Sequence, residues 1–254
     1  MNNHNNIRLI SRIDIKNEYV IKGINLEGLR KIGDPIEIAK KYYNDGIDEI
    51  FFMDAVASLY ERNNLFHIIE NAVRHIFVPI TIGGGIRKIK DIEKALRSGA
   101  DKIAINTQAI KTPKFITDAS RLYGSQSIIG SIEAKRKAGS WEAYIENGRQ
   151  ETGVDAIEWA KRLEDLGAGE LLVTSVDQEG TRKGFDEKLL KKISESVSIP
   201  IVMSGGAGNI NDITSICNQS ELSGIALASI LHYQNAHIRD IKDKMLSNNF
   251  NIRI

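Results

Sequence analysis

A single cysteine, Cys217, in 254 residues excludes a disulfide framework and any metal site built from several thiolates. The five histidines, His4, His67, His75, His232 and His237, are dispersed without metal-ligand spacing, so neither a metal nor another cofactor is expected. Excess charge is lacking too. Thirty-four Lys+Arg against 33 Asp+Glu give +1, and no global field draws the chain to nucleic acid or an anionic membrane. No apolar run approaches the roughly 18 residues of a membrane span. The polar start, Met1 to Asn6, lacks the apolar core of a secretion signal, and the expectation is a soluble protein of the cytoplasm. Prolines number only four, and no Pro/Gly-rich linker or compositional break appears, so residues 1–254 read as one domain. With 42% hydrophobic, 26% charged and 6% aromatic residues, the composition is that of an ordinary folded protein.

What is present is alternation. Short β-rich runs lie at Ile7–Ile13, Asp48–Met53, Pro79–Ile82, Lys102–Ile105, Ser127–Ile132, Glu170–Thr174, Pro200–Met203 and Gly224–Leu227. Between them fall segments of helical spacing such as Ile36–Tyr43, Leu65–His75, Ile89–Ser98 and Ala156–Leu166. Eight βα units suggest an α/β (β/α)8 TIM barrel, although a doubly wound sheet alternates in the same way. An internal repeat favours the barrel. Asp14-Ile-Lys16 recurs as Glu133-Ala-Lys135, Asp48–Phe52 matches Gly169–Val173, Pro79–Gly84 matches Pro200–Gly205, and Asn106-Thr107 parallels Ala228-Ser229. The offsets stay between 119 and 122, which implies two half-barrels, roughly 1–125 and 126–254. Two loops exceed the minimum, from Ile15 to Asp34 and from Arg136 to Thr152. Each reads as a hairpin over the barrel mouth, the second turning at Asn147-Gly148.

Glycines cluster after two strands, at Gly83-Gly84-Gly85 and at Ser204-Gly205-Gly206, where converging backbone N–H groups would hold an anion. A hydroxyl residue follows the next strand in each half, Thr107 after Asn106 and Ser229 after Ala228. Two such cradles imply a substrate with a phosphate at each end. Between them Asp14 and Glu133 bring two carboxyls to the mouth, able to divide acid and base work, or to pair structurally with Lys16 and Lys135. Asp54 and Asp177, near Ser58 and Thr174, are second-tier candidates, and Lys22 in the first long loop could reach a phosphate. At the opposite end, strand alternation points Arg8, Glu49, Lys102 and Glu170 at the axis, where they could form a neutralised ring or a solvated rim.

From about Ile7 to His232 the chain resembles the cyclase subunit of imidazole glycerol phosphate synthase, the HisF family. The likeness runs through Asp14-Ile-Lys16, Lys22-Gly23, Gly33-Asp-Pro35, Gly46-Ile-Asp-Glu49, Gly83–Ile86, Gly99–Ile103, Asn106-Thr107, Gly167–Glu170, Thr174-Ser175, Asp177, Gly180-Thr181 and Ser204–Gly208. The resemblance implies a heterodimer with a HisH-type glutaminase docked on the barrel floor, Asp101 helping to hold it. Ammonia would pass a gate of Arg8, Glu49, Lys102 and Glu170. At the mouth it would meet a doubly phosphorylated ribulosyl aminoimidazole carboxamide, giving imidazole glycerol phosphate and an aminoimidazole carboxamide ribotide in histidine biosynthesis. Asp14 would be the general base and Glu133 the general acid. Lys22, Gly84, Gly85, Asn106, Thr107, Asp177, Gly180, Ser204, Gly205, Gly206, Ala228 and Ser229 would hold the substrate and its phosphates. Two residues depart from the family: Glu133 stands where it has Asp, and Arg12 where it has a small or apolar residue. A buried Arg12 needs a carboxylate partner. Glu133 is the expected one, and the pairing would favour its ionised form. The departures leave open two other readings, an ammonia-using paralogue that amidates a bacterial surface sugar and a subunit that only activates a glutaminase.

Overall fold

The computed structural model describes residues 6–55, 65–219 and 221–253. Twelve strands occur among them: β1 (Arg8–Lys16), β2 (Tyr19–Ile24), β3 (Glu27–Gly33), β4 (Glu49–Asp54), β5 (Ile80–Gly83), β6 (Lys102–Ile105), β7 (Ile128–Lys137), β8 (Ser140–Ile145), β9 (Gln150–Asp155), β10 (Glu170–Ser175), β11 (Ile201–Ser204) and β12 (Gly224–Leu227). Eight of these close a parallel barrel in the order β1-β4-β5-β6-β7-β10-β11-β12, with β12 returning to β1. This is the (β/α)8 barrel expected from the alternation. Around it run α1 (Pro35–Asn44), α2 (Leu65–Ala72), α3 (Ile89–Arg97), α4 (Thr107–Lys111), α5 (Lys114–Tyr123), α6 (Ala156–Asp165), α7 (Glu187–Ser194), α8 (Ile210–Gln219), α9 (Ser229–His232) and α10 (Ile238–Ser247).

The period-2 strand pattern produces two cores. Outward residues such as Leu9, Ile13, Ile50, Phe52, Ile103, Leu171 and Ile225 pack against the apolar stripes of the helices, for example Ile92 and Ala95 of α3 and Leu189 and Ile193 of α7. Inward residues Ile10, Phe51, Ala104, Ile129, Leu172, Val202 and Ala226 form a separate apolar layer across the lumen. One strand thus carries Arg8, Ile10, Arg12 and Asp14 inward at successively higher levels.

Corresponding residues of the sequence repeat sit at like places in the register. Ile10 pairs with Glu49 and Asp14 with Met53 on one side; Ile129 pairs with Glu170 and Glu133 with Thr174 on the other. Both long loops are hairpins that continue their barrel strands: β1 runs on to Lys16 because β2 pairs with it, and β7 to Lys137 because β8 does. Each hairpin ends in an aspartate that caps the next helix. Asp34 accepts from the N–H groups of Ile36 and Glu37 at 2.9 Å, and Asp155 from those of Ile157 and Glu158 at 2.8 and 3.1 Å. The caps anchor both hairpins over the C-terminal ends of the strands, the mouth of the barrel.

Candidate active site

At the floor the four charges expected to point inward form a closed ring. Arg8 donates to Glu49 at 2.5 Å and also to Glu170, while Lys102 lies 3.2 Å from Glu49 and 2.9 Å from Glu170. Thr81 Oγ1 donates to Glu49 at 2.9 Å, and Arg8 Nε to the Ser223 carbonyl at 3.1 Å. Two cations and two carboxylates in alternation neutralise one another, which lets Glu49 and Glu170 be buried at all. Asp101 is exposed on the same end, where it accepts from the Ile80 N–H at 2.8 Å and so fixes the start of β5.

Above the ring comes the apolar layer, and above that Arg12. Its guanidinium, 3% exposed, donates through Nε to Asp14 Oδ1 at 2.9 Å and through Nη1 to Thr174 Oγ1 at 2.8 Å and Ser204 Oγ at 3.4 Å. The expected Arg12–Glu133 pairing does not form. Asp14 sits two residues further along the same face of β1, within direct reach of Nε, whereas Glu133 is on the opposed strand and takes the Gly148 N–H at 2.8 Å. Lys22 of β2 is buried. It lies 3.5 Å from Asp14 Oδ2 and in contact with the buried Glu179.

The two mouth carboxyls therefore occupy opposite electrostatic environments, on strands four places apart around an eight-stranded ring. For Asp14 burial opposes ionisation, but the charges of Arg12 and Lys22 and the hydrogen bond from Arg12 outweigh it and hold the carboxyl below its usual range. For Glu133 burial dominates, the charge of Arg12 and the Gly148 N–H only partly offset it, and the pKa is pushed up to about 7. The expected shift of Glu133 toward its ionised form is thus reversed.

Glu133 and Arg12 face a cavity of about 300 Å³ lined also by Gly84, Gly85, Asn106, Thr107, Asp54 and Lys111. The first glycine cradle is open here. Gly84 has φ +89°, and a Cβ on it would lie 2.3 Å from the Asp54 carbonyl oxygen. A side chain at Gly84 therefore cannot be seated without moving this loop, and Gly84→Ala is expected to weaken uptake of inorganic phosphate about tenfold in a titration, the test of whether this cradle holds a phosphate.

The second cradle is covered. Gly205, Gly206, Ala228 and Ser229 are buried, Gly206 accepts the Gly184 N–H at 2.9 Å, and the Glu179 carboxylate lies beside Gly205. The first hairpin closes the cover: Asn25 donates from its backbone to the Glu179 carbonyl at 2.7 Å and from Nδ2 to the Val176 and Asp177 carbonyls at 2.8 and 2.9 Å. Gly180 lines a larger cavity of about 680 Å³ on the outer side of this closure, with Lys22, Arg182 and Tyr233. Asp177 points elsewhere. Its Oδ2 accepts from the Arg136 N–H at 2.7 Å, so it ties the second hairpin to this loop. Ser58 lies outside the described residues, as does His4.

Sequence reasoning missed three participants. Glu179 carried no signal beyond its neighbour Gly180. The hairpin turn at Asn147-Gly148 is legible in the sequence, but its bond to Glu133 is not. His232 carries no sequence signal, since the histidines lack metal-ligand spacing. It is half-buried, 2.7 Å from the Tyr42 hydroxyl, with its pKa lowered to about 4 by burial and by Lys22, so it is neutral near the site.

The family described as histidine biosynthesis protein matches residues 8–237. The chain is 54% identical over 208 residues to the imidazole glycerol phosphate synthase subunit HisF of Legionella pneumophila, covering 82% of this chain and 98% of that protein. It is 44% identical over 249 residues to the subunit of the same name from two strains of Lactococcus lactis subsp. cremoris, MG1363 and SK11, covering 97% of this chain and 96% of each.

Proposed function

We infer the function from the premise that this chain belongs to the histidine biosynthesis protein family and, within it, to the HisF subunits of imidazole glycerol phosphate synthase. It is the cyclase subunit of that synthase and acts in histidine biosynthesis. The naming of the relatives favours this reading over a sugar amidase or a non-catalytic activator. The observation that carries it is the opposed pair at the mouth, one carboxyl held ionised and the other pushed up to about 7, standing above the charged floor ring on the same axis.

The chemistry follows from that pair. The substrate is a bis-phosphorylated ribulosyl aminoimidazole carboxamide, and ammonia adds to the ribulosyl carbonyl carbon. Glu133, protonated near neutral pH, donates a proton to the oxygen that leaves as water, and Asp14, ionised, removes protons from the adding nitrogen and from the sugar carbon. Ring closure and carbon–nitrogen cleavage release imidazole glycerol phosphate and the aminoimidazole carboxamide ribotide, a lyase outcome. One phosphate occupies the open cradle at Gly84, Gly85, Asn106 and Thr107. The other takes the covered cradle at Ser204, Gly205, Gly206, Ala228 and Ser229 once the Asn25 clamp lifts, which hands Lys22 from Glu179 to the phosphate. Asp177 and Gly180 belong to the loop that moves.

Ammonia comes from a glutaminase subunit docked on the floor near Asp101. The ring of Arg8, Glu49, Lys102 and Glu170 opens onto the apolar layer, which conducts neutral ammonia and refuses ammonium because that layer offers no counter-charge. The complex works in the cytoplasm. The test supplies the isolated chain with ammonium salt and the ribulosyl intermediate. Loss of substrate absorbance within minutes is expected, and tight binding without turnover would overturn the assignment.

A further inference from the structure

We propose that Arg12 is a second closure on the barrel axis, a cationic bar between the apolar layer and the reacting groups that limits the passage of ammonia from below. The proposal rests on the cyclase reading for its substrate, but its geometry stands apart from it. Starting on β1, the guanidinium reaches Thr174 on β10, three strands around the ring, and Ser204 on β11, two strands around. It lies directly above Ile10 on the inward face of β1, and on its upper side it faces the cavity that holds Glu133. A molecule rising from the floor ring to that cavity along the β1, β10 and β11 side of the lumen meets it. Three hydrogen bonds to Asp14, Thr174 and Ser204 hold it across the lumen.

Its chemistry suits a bar rather than a bystander. A guanidinium stays charged at every working pH, so the closure cannot be lifted by titration. It repels ammonium and offers no acceptor for the N–H bonds of ammonia. Passage therefore requires the side chain to let go of at least one of its partners. Asp14 is the partner a bound acceptor engages, which makes ammonia admission respond to occupation of the mouth.

Comparing two nitrogen sources separates this role from support of Asp14. In the complex with the glutaminase subunit, glutamine-derived nitrogen must pass Arg12, whereas ammonium salt added to the solution reaches the reacting carbon from the open mouth. Arg12→Met removes the bar, and it weakens the Asp14 network equally for both sources, so that loss cancels in the ratio of glutamine-driven to ammonium-driven turnover. The ratio should rise about tenfold, which corresponds to a barrier of about 1.4 kcal/mol. Arg12→Lys keeps a cation beside Asp14 but cannot fork to Thr174 and Ser204, and should raise the ratio as well, which preserves the test if the Met variant does not fold. An unchanged ratio in both variants would overturn the closure.

A second measurement needs no acceptor. In the isolated chain the Arg12 Nε–H should exchange with solvent far more slowly than that of the exposed Arg30 when followed by nitrogen-15 NMR. Equal exchange would also overturn the closure. If the wild-type complex turns over with neither nitrogen source, the cyclase reading fails instead, and equal exchange at Arg12 and Arg30 would still overturn the closure on its own.

Discussion

Glu133→Gln should lower ammonium-driven turnover by about 10²–10⁴-fold, the contribution of a positioned general acid, while leaving the fold as stable as wild type or more so above pH 7. The stability half of this expectation follows from linkage. Burial lifts the Glu133 pKa to about 7 in the folded chain, far above its ordinary value near 4.5, so the folded state binds this proton more tightly than the unfolded state. The stabilising contribution is complete below about pH 4.5 and is lost as pH rises through 7, a cost of about 3 kcal/mol once the group must ionise inside the barrel. Glutamine never ionises, and its amide oxygen can still accept the Gly148 N–H that Glu133 accepts at 2.8 Å. Melting curves at pH 5 and pH 8 check the point: the variant should gain on wild type between the two. A constant difference would mean that Glu133 is ionised throughout and cannot be the acid. The same raised pKa predicts that wild-type kcat/KM falls above about pH 7.

The barrel was legible because its signal is periodic and repeated. Inward and outward residues of β1 and β10 alternate without exception, and the Ile10–Glu49 and Ile129–Glu170 registers reproduce the sequence repeat. The inward placement of the floor charges was legible for the same reason: alternation alone turns Arg8, Glu49, Lys102 and Glu170 inward, while their closure into a ring rather than a solvated rim became visible only in the structure. What escaped the sequence was the choice among competing partners. Arg12 could be seen to need a carboxylate, yet Asp14 and Glu133 both qualify on identity, and distance decided. Glu133 was already taken by a backbone N–H from a hairpin turn fifteen residues away. The covered state of the second cradle was equally hidden, because Gly205 and Gly206 read alike whether a phosphate or the Glu179 loop lies against them. Pattern fixes which way a side chain points; packing of the loops decides what it meets.

Asp14→Asn should have the opposite pH signature and the larger structural cost. The substitution removes the carboxylate charge that faces both Arg12 and Lys22, and leaves the Arg12 guanidinium hydrogen-bonded only to neutral groups, the hydroxyls of Thr174 and Ser204 and at most the new amide oxygen, in a site almost without exposure. Breaking a buried ion pair on one side costs about 3–5 kcal/mol. Lys22 is less affected, since Glu179 still contacts it. The sign with pH is again fixed by linkage: the Asp14 pKa is lowered on folding, so its contribution is present above the ordinary carboxylate range and is lost as pH falls through the folded value. The wild-type advantage should therefore be full at pH 7 and shrink in strong acid, as followed by urea denaturation at the two pH values. Turnover should fall by about 10²–10⁴-fold as well, the share of a general base. A second consequence separates this site from a plain ion pair. With Asp14 neutral, burial still holds the Glu133 pKa up, but the smaller upward push from the Asp14 charge is gone and the charge of Arg12 is no longer countered beside it, so Glu133 should titrate somewhat lower and the acid should be weakened along with the base. Two carboxyls that merely balanced Arg12 and Lys22 would give variants whose stabilities move the same way with pH. A base kept ionised and an acid kept protonated must give variants that move in opposite ways, and that contrast is the measurement on which the division of labour at the mouth depends.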